Sequence, residues 1–162
     1  MLKKWDLSVI FKDWSEWDSS FENVKTNVGK FEHFKEKLNN FSTFEEFYKF
    51  DEGVSIEIYK LAVYAHMQND LNTKDEHNDS KYKQVMMLYS ELVQASSWVQ
   101  PELLEIGVNQ IEKYVSKSEK LKEYRFSLEN LFRKQLHILD SKSENIMANY
   151  GELSRKAGSL YS

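Results

Sequence analysis

The segment at residues 54–67 constrains the fold more than any other part of the chain. It reads VSIEIYKLAVYAHM, and from Ile58 onward only Lys60 and His66 interrupt its apolar character. Residues at three- and four-residue spacing form one apolar helical face: Ile58, Leu61, Ala62 and Ala65. Three more residues add apolar surface on the other sides of the helix: Val63, Tyr64 and Met67. A helix that is apolar nearly all round is expected at the centre of a helical protein. The sequence therefore predicts a central helix with other helices packed around it.

A polar stretch at residues 68–80, QNDLNTKDEHNDS, follows this segment and is rich in residues that favour loops. A second helical pattern begins at Tyr82. Its buried stripe is predicted at Val85, Leu88, Tyr89, Leu92, Ser96 and Val99, with Met86 and Met87 filling space beside it. We therefore expect a second helix that returns antiparallel to the central one across a long polar connection.

An amphipathic pattern also precedes the central segment. Asp13 is a candidate N-cap, and Glu16 completes the sequence signature of a capping box. Apolar residues then form a seam that continues to Leu38, at Trp14, Trp17, Phe21, Val24, Val28 and Phe31. This seam fits either a coiled-coil dimer or an antiparallel contact inside one domain. Its aromatic residues and Gly29 favour the second interpretation, because they suit irregular packing better than a regular zipper.

The segments on either side of these helices complete the organisation. An aromatic group is predicted to be core rather than a ligand pocket, at Phe44, Phe47, Tyr48 and Phe50. The following Asp-Glu-Gly at residues 51–53 is expected to bend or break the helix. Further on, a helical turn from Pro101 to Gly107, a short helix at 108–115, a helix capped by Ser118 and a last helix opened by Ser141 are predicted.

The composition fits a single helical domain. The chain has 162 residues, of which 41% are hydrophobic, and it contains only one proline and five glycines. A chain of this size buries roughly two-thirds of the surface that its unfolded form exposes. We predict an all-α fold, a multi-helix bundle of about five to six antiparallel helices in one domain over residues 1–162. Residues 1–12 are expected to be an extended lead-in, and residues 151–162 a weakly anchored tail.

Several functional classes are disfavoured. The net charge is −4 with acids and bases interspersed, whereas nucleic-acid binding needs a clustered basic face. The chain has no cysteine, so thiolate catalysis and zinc–thiolate sites are excluded. No apolar run reaches the roughly 18 residues of a membrane span, and the amino terminus does not resemble a signal peptide. We expect a cytoplasmic protein that binds neither nucleic acid nor membrane.

The four histidines show no metal-binding pattern. None of His33, His66, His77 and His137 begins H-E-x-x-H, and none follows a glutamate by three residues. His66 precedes Asp70 by one helical turn, which we interpret as a structural hydrogen bond to a partly buried ring rather than a catalytic pair. The residues alone therefore predict no catalytic, cofactor-binding or metal-binding side chain.

Separated motifs resemble the amino-terminal region of oligoendopeptidase F, a bacterial zinc metallopeptidase of the thimet-oligopeptidase type. In chain order they are Trp5-Asp6-Leu7-Ser8, Tyr64-Ala65-His66, Leu88-Tyr89, Pro101-Glu102-Leu103-Leu104, Tyr124-Arg125 and His137-Ile138-Leu139. The resemblance spans essentially the whole chain. It departs from the family at Leu136, where a proline is common, and at Asp140, which intervenes before Ser141.

The resemblance implies that this chain is not an enzyme by itself. Family members carry H-E-x-x-H and a third glutamate ligand in a downstream catalytic region, where zinc-bound water cleaves short oligopeptides. No position here matches those residues. The resemblance therefore implies a non-catalytic lobe without cofactor, which forms part of the wall or lid of the substrate channel and restricts access to short peptides.

The partners implied are the catalytic region of the same polypeptide and an oligopeptide substrate. Residues 70–80 and the exposed helix faces are candidates for contact with peptide. Two alternatives remain at this point. One is a free-standing helical interaction module, dimeric through the seam at residues 14–31, and the other is an enzyme in its own right.

Overall fold

The structure is a computed structural model that describes residues 6–135, and within this range the chain is helical without strands. The α-helices are α1 (Trp14–Val28), α2 (Phe41–Leu71), α3 (Glu76–Ala95), α4 (Val99–Ile106), α5 (Val108–Lys117), α6 (Glu119–Lys122) and α7 (Arg125–Gln135), and Phe31–Phe34 form a 3-10 helix. The all-α prediction is confirmed. Trp5, His137, the helix predicted from Ser141 and the predicted tail lie outside the described residues.

The central helix, α2, is longer than predicted and has 31 residues. It contains both the aromatic group and the central segment, so the break predicted at residues 51–53 is wrong. A glycine inside a helix costs only about 0.5–1 kcal/mol relative to alanine. Buried side chains before and after Gly53, such as Phe47 and Leu61, offset this cost by holding both halves of the helix in the core.

The connection between α2 and α3 is shorter than predicted and comprises residues 72–75. The polar residues on either side lie on the exposed surfaces of helix ends, where polarity does not indicate a loop. Asp75 caps α3 by accepting a hydrogen bond from the His77 N–H at 3.0 Å. The Asn78 side chain is buried and donates to the carbonyl of Gln68 at 3.0 Å. The short link and the extensive α2–α3 contact confirm an antiparallel helical hairpin.

Helix α1 begins as predicted but ends earlier. Asp13 Oδ1 accepts from the Glu16 N–H at 3.1 Å, and Glu16 Oε2 accepts from the Lys12 N–H at 2.6 Å. The helix ends at Val28, so Phe31 lies in the 3-10 helix and Leu38 in the loop after it.

The apolar seam packs inside the chain. Trp17, Phe31 and Leu38 are fully buried, and the Trp17 indole N–H donates to the Leu61 carbonyl at 3.0 Å. The predicted contact inside the domain is confirmed. Because the seam is already covered, it is not a surface through which two copies could pair.

Segments that precede and follow α2 in the chain pack on its first half. Phe47 contacts the rings of Phe31 and Trp98, and Tyr48 contacts Tyr124, with centroid separations of 6.0, 5.7 and 4.7 Å. Ser118 caps α6 as predicted, since its Oγ accepts from the Leu121 N–H at 3.4 Å. The aromatic group is therefore core, as predicted.

The described part of the lead-in, residues 6–12, forms a turn rather than an extended strand of chain. The N–H groups of Ile10 and Phe11 donate to the Leu7 carbonyl at 3.0 and 3.3 Å, and Leu7 and Phe11 are buried. Of the helices described here, none has the length and apolar character that crossing a bilayer requires.

Candidate functional site

The pair predicted from His66 and Asp70 is present at the end of α2. His66 Nδ1 lies 3.1 Å from Asp70 Oδ2, and the His66 ring packs edge-on to Tyr82 of α3 at 5.3 Å. Both members of the pair are more than half exposed, so the ring is less buried than predicted. The contact joins neighbouring turns of one helix, and within residues 6–135 no third polar group completes it in the way that a catalytic group needs.

The other described histidines have different surroundings from this pair. His33 is exposed on the 3-10 helix, and His77 packs edge-on to Trp14 at 5.4 Å. Among residues 6–135, no three His, Asp or Glu side chains are grouped so that they could hold a metal ion. The described residues therefore do not fit a zinc site.

The residues predicted to contact peptide at 70–80 do not form a broad loop. Most belong to the end of α2 or the start of α3, and only residues 72–75 connect the helices. The more extensive exposed surface lies further along the same hairpin.

That surface, which we name the hairpin face, consists of Ile56 and Tyr59 of α2 with Met86, Tyr89 and Val93 of α3. Each of these five side chains is between 43% and 71% exposed. The prediction that Tyr89 belongs to the buried stripe of α3 is wrong, whereas Val85, Leu88 and Leu92 are buried as predicted. Tyr89 is about 100° around the helix from Leu88, which turns it from the core towards solvent.

Helical register places the five residues on one side of the hairpin. The contact between His66 and Tyr82 fixes which sides of the two antiparallel helices meet. Tyr59 lies seven residues before His66 and Tyr89 seven residues after Tyr82, so both are two turns from that contact on the same sides. Met86 lies one turn from the contact, and Ile56 and Val93 lie at about three turns. Together they form a continuous apolar strip.

Charged residues are scarce along this strip. From Gln84 to Pro101 the sole charged residue is Glu91, although 30% of the chain is charged. Glu91 is two positions from Tyr89 and therefore points to the opposite side of α3. On α2, Glu57 forms an ion pair with Lys60 at 2.7 Å and also accepts from Ser20 of α1 at 3.4 Å, which places it on the side facing α1.

A polar cluster closes the end of the hairpin face nearest α6. Lys120 pairs with Glu52 at 2.7 Å, and this contact holds the pKa of Glu52 below its usual value. Burial raises the pKa of Asp51, and burial is also the main cause that raises the pKa of Tyr124 to about 12. A shallow depression joins this cluster to the face, and it is lined by charged as well as apolar side chains: Asp51, Glu52, Ser55, Ile56, Tyr59, Lys60 and Tyr124.

Taken together, the five residues of the hairpin face give the described part of the chain an exposed apolar surface. Sequence reasoning missed the hairpin face because Met86 and Tyr89 were assigned to the core side of α3. The signal that could have revealed it is the loss of charge after Lys83, since solvated helices normally alternate apolar and charged residues.

Comparisons with known proteins agree in sequence and in structure. The family model described as Oligopeptidase F matches residues 102–162. The plasmid-encoded oligoendopeptidase F of Lactococcus lactis subsp. cremoris is 29% identical over 154 residues, covering 92% of this chain and 25% of the relative. Oligopeptidase PepF of Bacillus subtilis (strain 168) is 24% identical over 159 residues, covering 98% of this chain and 24% of the relative.

A solved structure shares the fold. The crystal structure of oligoendopeptidase-F from Enterococcus faecium matches with a TM-score of 0.68 and 27% identity, over 86% of this chain and 27% of that one. The chain spans about a quarter of the length of the curated relatives it matches. The resemblance drawn from the sequence motifs is confirmed: the chain is similar to proteins named oligoendopeptidase F over nearly all of its length.

Proposed function

We propose that this chain is the non-catalytic amino-terminal lobe of a bacterial zinc oligoendopeptidase that hydrolyses oligopeptides in the cytoplasm. The observation that carries the proposal is the extent of the similarity, which covers nearly all of this chain and only about a quarter of its relatives. Those relatives are named as oligopeptidases. In this proposal residues 1–162 are one helical domain, and the zinc ligands and catalytic glutamate belong to the remaining polypeptide.

The lobe restricts access to the active site through its shape. It would form part of the wall or lid of the channel that leads to the catalytic zinc, so that short peptides enter and folded proteins do not. The helical framework of α1 to α3 suits this role, because its aromatic core and capped helix ends give a rigid wall. Its partners would be the catalytic region and an oligopeptide.

The natural reading frame beyond the codon for Ser162 gives the first test. We expect it to continue and to reach an H-E-x-x-H motif. A stop codon directly after Ser162 would overturn the lobe assignment and favour a free-standing interaction module instead.

A peptide-length assay tests the gating role. The long polypeptide is compared with a version lacking residues 1–162, using one cleavable sequence in free peptides of increasing length and inside a folded protein. We expect kcat/KM to fall with length in the intact enzyme and to depend less on length in the shortened one. Adding the separate 162-residue chain back should restore the length dependence. Equal length profiles with and without these residues would exclude a role in gating.

A further inference from the structure

We propose that the hairpin face is the surface on which the rest of the longer peptidase chain docks, and that the docking partner presents an apolar, uncharged patch. This inference rests on the proposed function. It assigns one particular side of the α2–α3 hairpin to the contact, and leaves the side that packs on α1 as the internal core.

The hairpin face is both exposed and continuous. Tyr59, Met86 and Tyr89 are exposed on adjacent turns of two helices held antiparallel by a four-residue connection, residues 72–75. Exposed apolar residues that occur singly are ordinary, but a continuous strip of large ones marks an interaction surface. The strip runs along the hairpin for about three helical turns.

The composition of the hairpin face also resembles that of an interface. The cores of protein interfaces are depleted in charged residues and enriched in aromatic residues and methionine, which is the composition of this face. The change along α3 is abrupt, because Glu76, Asp79, Lys81 and Lys83 precede Gln84 and only Glu91 follows before Pro101. Permanent interfaces are more apolar than transient ones, so a permanently attached region suits this face better than an occasional partner.

A bound peptide is a poorer occupant for a physical reason. An extended peptide is usually held through main-chain hydrogen bonds to a strand edge or to exposed polar groups. The backbone groups in the middle of α2 and α3 are already used within the helices. A flat, apolar partner surface needs no such groups, and side-chain packing alone can hold it.

Adjacent methionines supply a probe with an internal control. Met86 belongs to the hairpin face, whereas Met87 is about 100° further around α3, and both are exposed. Oxidation to the sulfoxide follows exposure. The isolated 162-residue chain and the long polypeptide are treated with dilute hydrogen peroxide, and the oxidation of each methionine is followed by mass spectrometry.

We expect both methionines to react in the isolated chain. In the long polypeptide the rate ratio of Met86 to Met87 should fall by about tenfold, because only Met86 is covered. An unchanged ratio in a long polypeptide would overturn this inference and leave the proposed function standing. A reading frame that stops after Ser162 would overturn both.

Two further outcomes would also contradict the inference. If Met86 becomes protected in the isolated chain as its concentration rises, the occupant is a second copy. If an oligopeptide added to the isolated chain protects Met86, the face binds substrate.

A substitution pair checks that the face itself causes the docking. Tyr89→Glu adds a charge at the centre of the hairpin face, and Gln94→Glu adds the same charge about 140° away on the same helix. We expect Tyr89→Glu to weaken docking by about thirtyfold or more and so to return Met86 to the reactivity seen in the isolated chain. Gln94→Glu should leave the protection of Met86 intact. Equal effects of the two substitutions, or no effect of either, would exclude the face as the docking surface.

Discussion

The two halves of α2 carry similar side chains but differ in what covers them. In the first half, Phe44 and Phe47 are buried against the 3-10 helix, α4 and α5. In the second half, Ile56 and Tyr59 stand on a side that neither α1 nor α3 covers. A 31-residue helix is about 46 Å long, and its ring contacts with Phe31, Trp98 and Tyr114 all come from residues 41–50. The comparison teaches that large apolar residues mark core only where another element is present to cover them.

The largest effect expected from this comparison is on stability. Phe47→Ala removes a ring that contacts Phe31, Phe34 and Trp98, so we expect the free energy of unfolding to fall by about 3–5 kcal/mol. Tyr59→Ala, twelve residues later on the same helix, should change it by less than about 0.5 kcal/mol. Urea denaturation of the 162-residue chain, followed by circular dichroism, measures both.

The milder Phe47→Leu keeps most of the buried volume and provides a measurable comparison if the alanine variant does not fold. We expect it to cost less than about 1.5 kcal/mol. A loss above about 2 kcal/mol for Tyr59→Ala would contradict the comparison, because it would mean that Tyr59 is already covered in the isolated chain.

The second effect concerns a polar contact at the enclosed end. The Glu102 carboxylate of α4 accepts from the backbone N–H groups of Glu36 and Leu38, at 2.7 and 2.8 Å. It thereby holds a loop in which Glu36 has a positive φ of 63° and Leu38 enters the core. Glu102→Ala should lower the free energy of unfolding by about 1–2 kcal/mol, since two charge-assisted hydrogen bonds are lost at a partly exposed site.

Glu105→Ala is the matched control for Glu102, because Glu105 lies on the same helix and is exposed. We expect a change within about 0.5 kcal/mol in the same urea titration. Equal losses of unfolding free energy in the two alanine variants would show that helix propensity, rather than the hydrogen bonds that Glu102 accepts from the loop, explains the result.

The third expected effect is a gain in stability, from a substitution at the point where the two halves of α2 meet. Apart from its chain neighbours and the backbone of its own helix, a methyl group at Gly53 would meet no atom within 4 Å, so Gly53→Ala should raise the free energy of unfolding by about 0.4–1 kcal/mol. Gly107→Ala should instead destabilise the chain, because Gly107 has a φ of 87° that alanine adopts only with strain. Destabilisation by Gly53→Ala would indicate that the helix bends at Gly53 in solution, as the sequence predicts.

These residues also show what could be predicted from the sequence and why the rest could not. Local sequence patterns that agree with the tertiary structure were enough to predict three features. These are the cap at Asp13, the antiparallel pairing of α2 with α3, and the buried stripe at Val85, Leu88 and Leu92. The length of α2 could not be predicted, because the propensity penalties of residues 51–53 and 68–71 are smaller than the burial energy acting on the same helix. The helix continues wherever packing outweighs those penalties.

The hairpin face was missed for a related reason. Periodicity identifies which residues share a side of a helix, but it does not say whether another element covers that side. Leu88 and Tyr89 both fit a three- to four-residue spacing, and only the position of α2 decides between them. The low charge between Gln84 and Pro101, where Glu91 is the sole charged residue, fits the docking surface that we propose.

The smallest effect expected is a pH dependence at the junction between the halves. Burial raises the pKa of Asp51 above its usual 3.8, so the folded chain binds this proton more tightly than the unfolded chain does. The free energy of unfolding therefore falls as the pH rises from below 3.8 through the folded pKa, and stays lower at neutral pH. Asp51→Asn removes this loss, and we expect it to stabilise the chain at pH 7 but not at pH 3.

Glu52→Gln should destabilise the chain at pH 7 but not at pH 3. The contact with Lys120 lowers the pKa of Glu52, so its contribution to stability is lost as the pH falls. Urea titrations at pH 3 and pH 7 compare the two variants, and stabilisation by Asp51→Asn that is equal at both pH values would show that volume or hydrogen bonding, rather than the buried charge, is responsible.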